Sequence, residues 1–86
     1  MRVLIPPPLH SYTDGVSVVE EEGTTLAELL ARLDARFPGI RFRIIDEQDR
    51  IRPHIRFFVN TKMVEGIERA VGPDDEVQII AALSGG

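Results

Sequence analysis

Thr25-Leu26-Ala27-Glu28-Leu29-Leu30-Ala31-Arg32-Leu33-Asp34-Ala35-Arg36-Phe37-Pro38-Gly39 is the stretch on which the fold turns. Thr25 followed by Glu28 matches a capping box, in which the Thr25 hydroxyl meets the Glu28 amide while Glu28 reaches back. Leu26, Leu29, Leu30, Leu33 and Phe37 then recur at helical spacing on one face. Ala27, Ala31 and Ala35 favour the helix, and Arg32 and Arg36 suit the negative end of its dipole. Phe37-Pro38-Gly39 ends it. The spacing predicts a helix over about Thr25–Arg36 with one apolar stripe, so it must lie on something.

That something is read from the flanks. Val3-Leu4-Ile5 has strand composition and is stopped by Pro6-Pro7-Pro8, which cannot donate ladder hydrogen bonds. Thr13-Asp14-Gly15 is turn chemistry, and Val16 to Glu20 reads as a second strand, so the two predict a hairpin with a long loop. Beyond the helix, Ile40, Ile44 and Ile45 fit a further helical turn, and Asp46-Glu47-Gln48-Asp49 an exposed one. Ile55-Arg56-Phe57-Phe58-Val59 is β-rich. Asn60-Thr61-Lys62 turns it into a short partner, Met63-Val64-Glu65; Gly66 to Ala70 is read as a single helical turn. Gly72-Pro73-Asp74-Asp75 is a tight turn before Glu76-Val77-Gln78-Ile79-Ile80-Ala81. One helix cannot cover two sheets, so the order predicts an α+β roll: a single mixed sheet, its last strand parallel to its first, with the main helix across one face.

Composition narrows the function classes. Eighty-six residues make one domain, with a small core. Fourteen acidic against ten basic residues leave a net charge of -4, which argues against a nucleic-acid backbone or an anionic membrane as partner. With no cysteine there is no disulfide, no thiolate nucleophile and no Cys-based zinc site. The absence of such staples, of a signal-peptide pattern and of a long apolar run predicts a cytoplasmic protein. His10 and His54 lie in no metal-ligand spacing and read as loop histidines. Glu20-Glu21-Glu22 reads as a solvated strand end and Asp74-Asp75 as turn chemistry. Without a phosphate loop, a Ser-His-Asp set or a basic aromatic surface, no catalytic residue and no metal ligand is assigned.

The chain closes on Leu83-Ser84-Gly85-Gly86. Glycine has no Cβ, so a diglycine end makes a thin, extensible tail whose carboxylate enters a slot too narrow for any side chain. The domain is therefore read as residues 1–86 with a flexible tail over about 82–86. The hairpin, the capped helix opening Gly23-Thr24-Thr25-Leu26-Ala27-Glu28-Leu29-Leu30, Phe57-Phe58-Val59-Asn60, Gly72-Pro73-Asp74-Asp75-Glu76-Val77 and the final Gly85-Gly86 occur in one order. Together they resemble the MoaD/ThiS family of ubiquitin-like sulfur carriers over nearly the whole chain. The resemblance implies the ubiquitin-like β-grasp fold and a carrier that is a substrate, not an enzyme. It marks Gly86 as the residue adenylated by a partner using ATP and then converted to a thiocarboxylate. Gly85, Ser84 and Leu83 would be the tail that partners read. The partners it implies are an adenylating enzyme, a sulfur donor protein and a sulfur-accepting synthase, with no cofactor bound by the chain itself. The long segment from Pro38 to Pro53 resembles longer members and leaves the pathway open: molybdopterin, thiamine, cysteine or another.

The residues support that chemistry independently. A carboxylate is a poor electrophile, and joining it to AMP supplies a leaving group; the attacking sulfur must come from elsewhere, since this chain has no thiol. Strand parity suggests where a partner docks. Ile55, Phe57 and Val59 share a face, as do Val77 and Ile79, and these apolar faces should meet the helix. Phe58, Ile80 and Leu4 are then left outside, either as scattered apolar surface or as a docking patch beside the tail. Three readings stay open: a sulfur carrier, a ubiquitin-like modifier joined to lysines through Gly-Gly, and an interaction module with an inert tail. Lys62 is the only lysine available for self-chaining.

Overall fold

Thr25 caps the main helix, α1 (Leu26–Arg36), with its hydroxyl accepting from the Glu28 amide at 3.2 Å. The return half of the box is displaced by one residue: Glu28 Oε1 accepts from the Thr24 amide, at 2.9 Å. The first helical amides find backbone acceptors instead, Leu26 N–H donating to the Arg69 carbonyl (3.0 Å) and Ala27 N–H to that of Ile67 (2.8 Å). This corrects the reading of residues 66–70. They form a turn and then an extended rung, Ala70 bridging Thr25, and not a helical turn. The reason is local: an α-helix leaves its first four N–H groups unpaired, and this segment supplies carbonyls to them.

The structure, a computed structural model, describes residues 1–82. Five strands form one mixed sheet: β1 (Arg2–Leu4), β2 (Val18–Glu20), β3 (Ile55–Val59), β4 (Lys62–Val64) and β5 (Glu76–Ala81), in the order β2-β1-β5-β3-β4. β5 is central, parallel to β1 and antiparallel to β3, as the sequence predicts. β2 is shorter than expected, and β4 begins one residue earlier because Asn60 and Thr61, both at positive φ, make the whole turn.

The stripe on α1 buries Leu26, Leu29, Leu30 and Leu33 completely against Val3, Phe57, Val59, Val77 and Ile79 on the inner sheet face. The segment left loosely defined by sequence contains a second helix, α2 (Ile40–Ile44). Gly39 opens it at φ 97°, a left-handed backbone that suits glycine. Asp34 Oδ1 accepts from the Gly39 and Arg41 amides, both at 3.1 Å, so α1 itself caps α2. Ile40, Ile44 and Ile45 thereby extend the core. Asp46 then closes the exposed turn by accepting from the Gln48 and Arg50 amides at 2.9 and 3.0 Å.

Candidate functional site

The tail is the first candidate, and its residues Leu83, Ser84, Gly85 and Gly86 lie outside the described residues. What the structure describes is its root. β3 and β5 pair out to Ile55 and Ala81, and one further bond, from the Ala82 amide to the His54 carbonyl at 2.8 Å, carries the ladder past the strand end. At Ala81 and Ala82 the central strand is held on the β3 side alone, since β1 pairs with it only as far as Gln78.

The outer sheet face is the second candidate. Parity places Phe58, Ile80 and Leu4 where the sequence put them: Val3, Ile5, Phe57, Val59, Val77 and Ile79 are buried, Ile80 is 40% exposed, and Leu4 and Phe58 are half-buried. The strand register brings the three together. Gln78 pairs with Leu4 on one side and Phe58 on the other, and Ile80 follows on the same face of β5. Leu4 and Ile80 also line one shallow hollow with Pro7 and Gln78.

Sequence reasoning missed the ends of this row. Leu4 pairs with Val18 (38% exposed) and Phe58 with Met63 (54% exposed), giving a line Val18–Leu4–Gln78–Phe58–Met63 across all five strands. Alternation within β2 marks Val18 as outward, but nothing short of the register places it beside Leu4. One step toward the β5 start the surface is charged, with Glu20 and Glu76 flanking Arg2 and a 3.5 Å Arg2–Glu76 pair. The row is thus apolar except for Gln78 at its centre and is bordered by ions on that side.

Several of the other polar groups are occupied structurally. His10 Nε2 donates to the Ile5 carbonyl at 2.9 Å, which anchors the loop after β1. Glu21, inside the acidic run, pairs with Arg36 at 3.0 Å. Its partial burial opposes ionisation, but the Glu22 amide and Arg36 outweigh this and hold the carboxyl below its ordinary range. Asp75 accepts from Asn60 Nδ2 (2.7 Å) and from the Gly72 amide (2.8 Å), and these bonds lower its pKa as well. Asn60 completes the knot by accepting from the Glu76 amide at 2.9 Å. Among the described residues no group of three or more His, Asp or Glu converges as a metal site, and no helix is long and apolar enough to cross a membrane.

Comparison with known proteins gives a consistent result. A family described as the ThiS family matches residues 3–86. The sulfur carrier protein CysO of Mycobacterium tuberculosis is 32% identical over 91 residues, spanning 100% of this chain and 98% of that protein. A chain in the crystal structure of the Amycolatopsis orientalis BexX/CysO complex superposes with a TM-score of 0.90 at 32% identity, covering 99% of this chain and 98% of that one. The small archaeal modifier protein 1 of Methanosarcina acetivorans (TM-score 0.80, 21% identity, 99% and 94% coverage) shares the fold. The fold is the ubiquitin-like β-grasp, a mixed five-stranded sheet with one main helix across it.

Proposed function

The chain belongs to the ThiS family, and from that premise we propose that it is a sulfur carrier protein whose Gly86 carboxylate receives AMP and then sulfur. The observation that carries the reading is the family match itself, which extends to residue 86 and so includes Gly85 and Gly86. The root at Ala82, at the end of the central strand, is well placed for it.

In the first step a Gly86 carboxylate oxygen attacks the α-phosphorus of ATP on an adenylating enzyme, and pyrophosphate leaves. In the second, hydrosulfide released by a donor protein attacks the acyl carbon; the C–O bond to AMP breaks, AMP departs with that oxygen, and the sulfur's proton is lost to solvent. The product is a thiocarboxylate, which a sulfur-accepting synthase consumes. The α-carboxyl is ionised at neutral pH, with an ordinary pKa of about 3.3–3.7, so it is a competent nucleophile in the first step. The chain supplies no catalytic group; the glycines supply a backbone slim enough for an enzyme channel. Gly85, Ser84 and Leu83 are the segment that channel reads, and Phe58, Ile80 and Leu4 are the docking patch on the domain. Likeness to CysO carriers supports a cysteine-type destination for the sulfur over thiamine, and gives molybdopterin no support. The work would be done in the cytoplasm, where ATP is available.

Intact-mass measurement tests this. Protein incubated with its adenylating enzyme, ATP and a sulfur donor should gain the difference between sulfur and oxygen, located on the C-terminal peptide. Deleting Gly85-Gly86, or appending one residue, should abolish the gain without altering the fold, since a chain end carries few packing contacts. Adducts on lysines of other proteins, with no thiocarboxylate at any time, would support the modifier instead. Neither product would leave the tail inert.

A further inference from the structure

Charge is distributed unevenly along this acidic chain. Residues 40–56 carry Arg41, Arg43, Arg50, Arg52 and Arg56 against three carboxylates, Asp46, Glu47 and Asp49; the rest of the chain carries eleven carboxylates against five cations. Arg41 and Arg50 are spent locally, pairing with Asp49 at 2.9 Å and Asp46 at 3.8 Å. Among the described residues Arg43 and Arg52 are in no ion pair. Arg52 donates from Nε to the Phe42 carbonyl at 2.7 Å and holds its guanidinium 4.6 Å from the centre of the Phe42 ring. That ring is 58% exposed, the most exposed large apolar side chain among the described residues. Phe42, Arg43, Arg52 and His54 line one shallow hollow, whose one carboxylate is Glu47. Arg43 and His54 also line the adjoining hollow, and its far wall is Ala81 and Ala82, the root of the tail.

Position gives this cluster its meaning. The four residues beyond Ala82 reach at most about 14 Å when fully extended. An enzyme that draws the Gly86 carboxylate into its centre must therefore bring the rim of its channel against the surface around Ala82. Arg43 and His54 stand on that surface, with the Arg52–Phe42 stack behind them. An exposed aromatic ring carrying an arginine is the residue pair enriched in protein interfaces. Unpaired cations are matched by carboxylates.

We propose that Phe42, Arg43, Arg52 and His54 form a second docking surface, which seats an acidic channel rim on the enzyme that accepts the tail. It is separate from the apolar row on the outer sheet face and rests on the carrier reading given above. Its contribution is electrostatic: it steers the encounter and orients the tail toward the channel, so it weakens as salt rises.

The test uses the full-length chain and its adenylating enzyme. Arg43→Glu, whose native side chain makes no hydrogen bond among the described residues, and Arg43→Glu with Arg52→Glu should each weaken binding, the double variant by tenfold or more at low salt. The difference should collapse at half-molar salt. Arg32→Glu is the control of equal charge change, since Arg32 lies beside Met1 and Pro73 at the opposite end of the molecule. It should bind as the unmodified chain does. The same titrations on the chain lacking Gly85-Gly86 separate the two ideas. Charge-dependent binding without any sulfur gain in the intact chain would refute the carrier reading and keep the docking surface. A normal sulfur gain with binding indifferent to Arg43 and Arg52 would overturn the docking surface alone. Self-association removed by Arg43→Glu, or saturable inorganic phosphate at Arg43, would overturn it in favour of a dimer face or an anion site.

Discussion

The Ala82 amide donates a 2.8 Å hydrogen bond to the His54 carbonyl, so the last described residue is still tied to the strand beside it. This bond fixes the orientation of the residue from which residues 83–86 follow. Ala82→Pro deletes the donor while leaving the preceding residue in the extended region that proline favours. Stability should fall by about 0.5–1.5 kcal/mol, the usual worth of one such bond. Thiocarboxylate formation should slow by more than the small folding loss accounts for. Urea titration and intact-mass kinetics on the same preparation separate the two; an unchanged rate would show that the root's direction does not matter.

Leu30 is fully buried between α1 and the sheet. Leu30→Ala should cost about 2–5 kcal/mol, a large share of the stability of so small a domain. Chemical denaturation is the check, and a loss below about half a kilocalorie would place the residue outside the core.

Ile80 stands on the outer face with two-fifths of its surface in water, and Phe58 is half-buried in the same patch. Ile80→Ala should therefore change stability by less than about 1 kcal/mol, and Phe58→Ala by somewhat more. Both should raise the Kd for the adenylating enzyme at every salt concentration, unlike the charge reversals at Arg43 and Arg52. Calorimetry at two salt concentrations distinguishes the two surfaces. A sharp drop in Tm for Ile80→Ala would mean that β5 faces the other way.

Acid should unfold the protein through identifiable carboxylates. Glu21 and Asp75 both have folded pKa values lowered from their ordinary ones, Glu21 by the Glu22 amide and Arg36 against the opposing effect of burial, Asp75 by Asn60 and the Gly72 amide. A lowered folded pKa means that the stabilisation is complete above the unfolded value, about 4, and is lost as pH falls through the folded one. Stability should accordingly be flat near neutrality and decline below about pH 4. Glu21→Gln and Asp75→Asn should each lower stability at pH 7 and flatten that acid limb. Thermal melts across pH 2–7 would show it, and an acid limb as steep as in the unmodified protein would absolve these two groups.

What the sequence by itself determined is local and periodic. The leucine spacing from Leu26 to Leu33, the Thr25 cap and the alternation of Ile55, Phe57 and Val59 specify one helix and the inner face of one sheet. Burial rewards only one register of each pattern. The same alternation left Phe58, Ile80 and Leu4 outside, and the family resemblance marked Gly86. Other features depend on contacts between segments distant in the chain. Residues 66–70 look helical in isolation, yet α1 needs acceptors for its first amides and draws Ile67 and Arg69 into that role. Gln78 becomes the centre of an apolar row only because β1 and β3 flank β5, and Val18 and Met63 join it through pairings that no local pattern encodes. Arg43 and His54, eleven residues apart in sequence, meet the tail root for the same reason. Arg43 of α2, His54 and Ile55 at the start of β3, and Ala81 and Ala82 at the end of β5 line one hollow, and only the assembled sheet brings those three ends together.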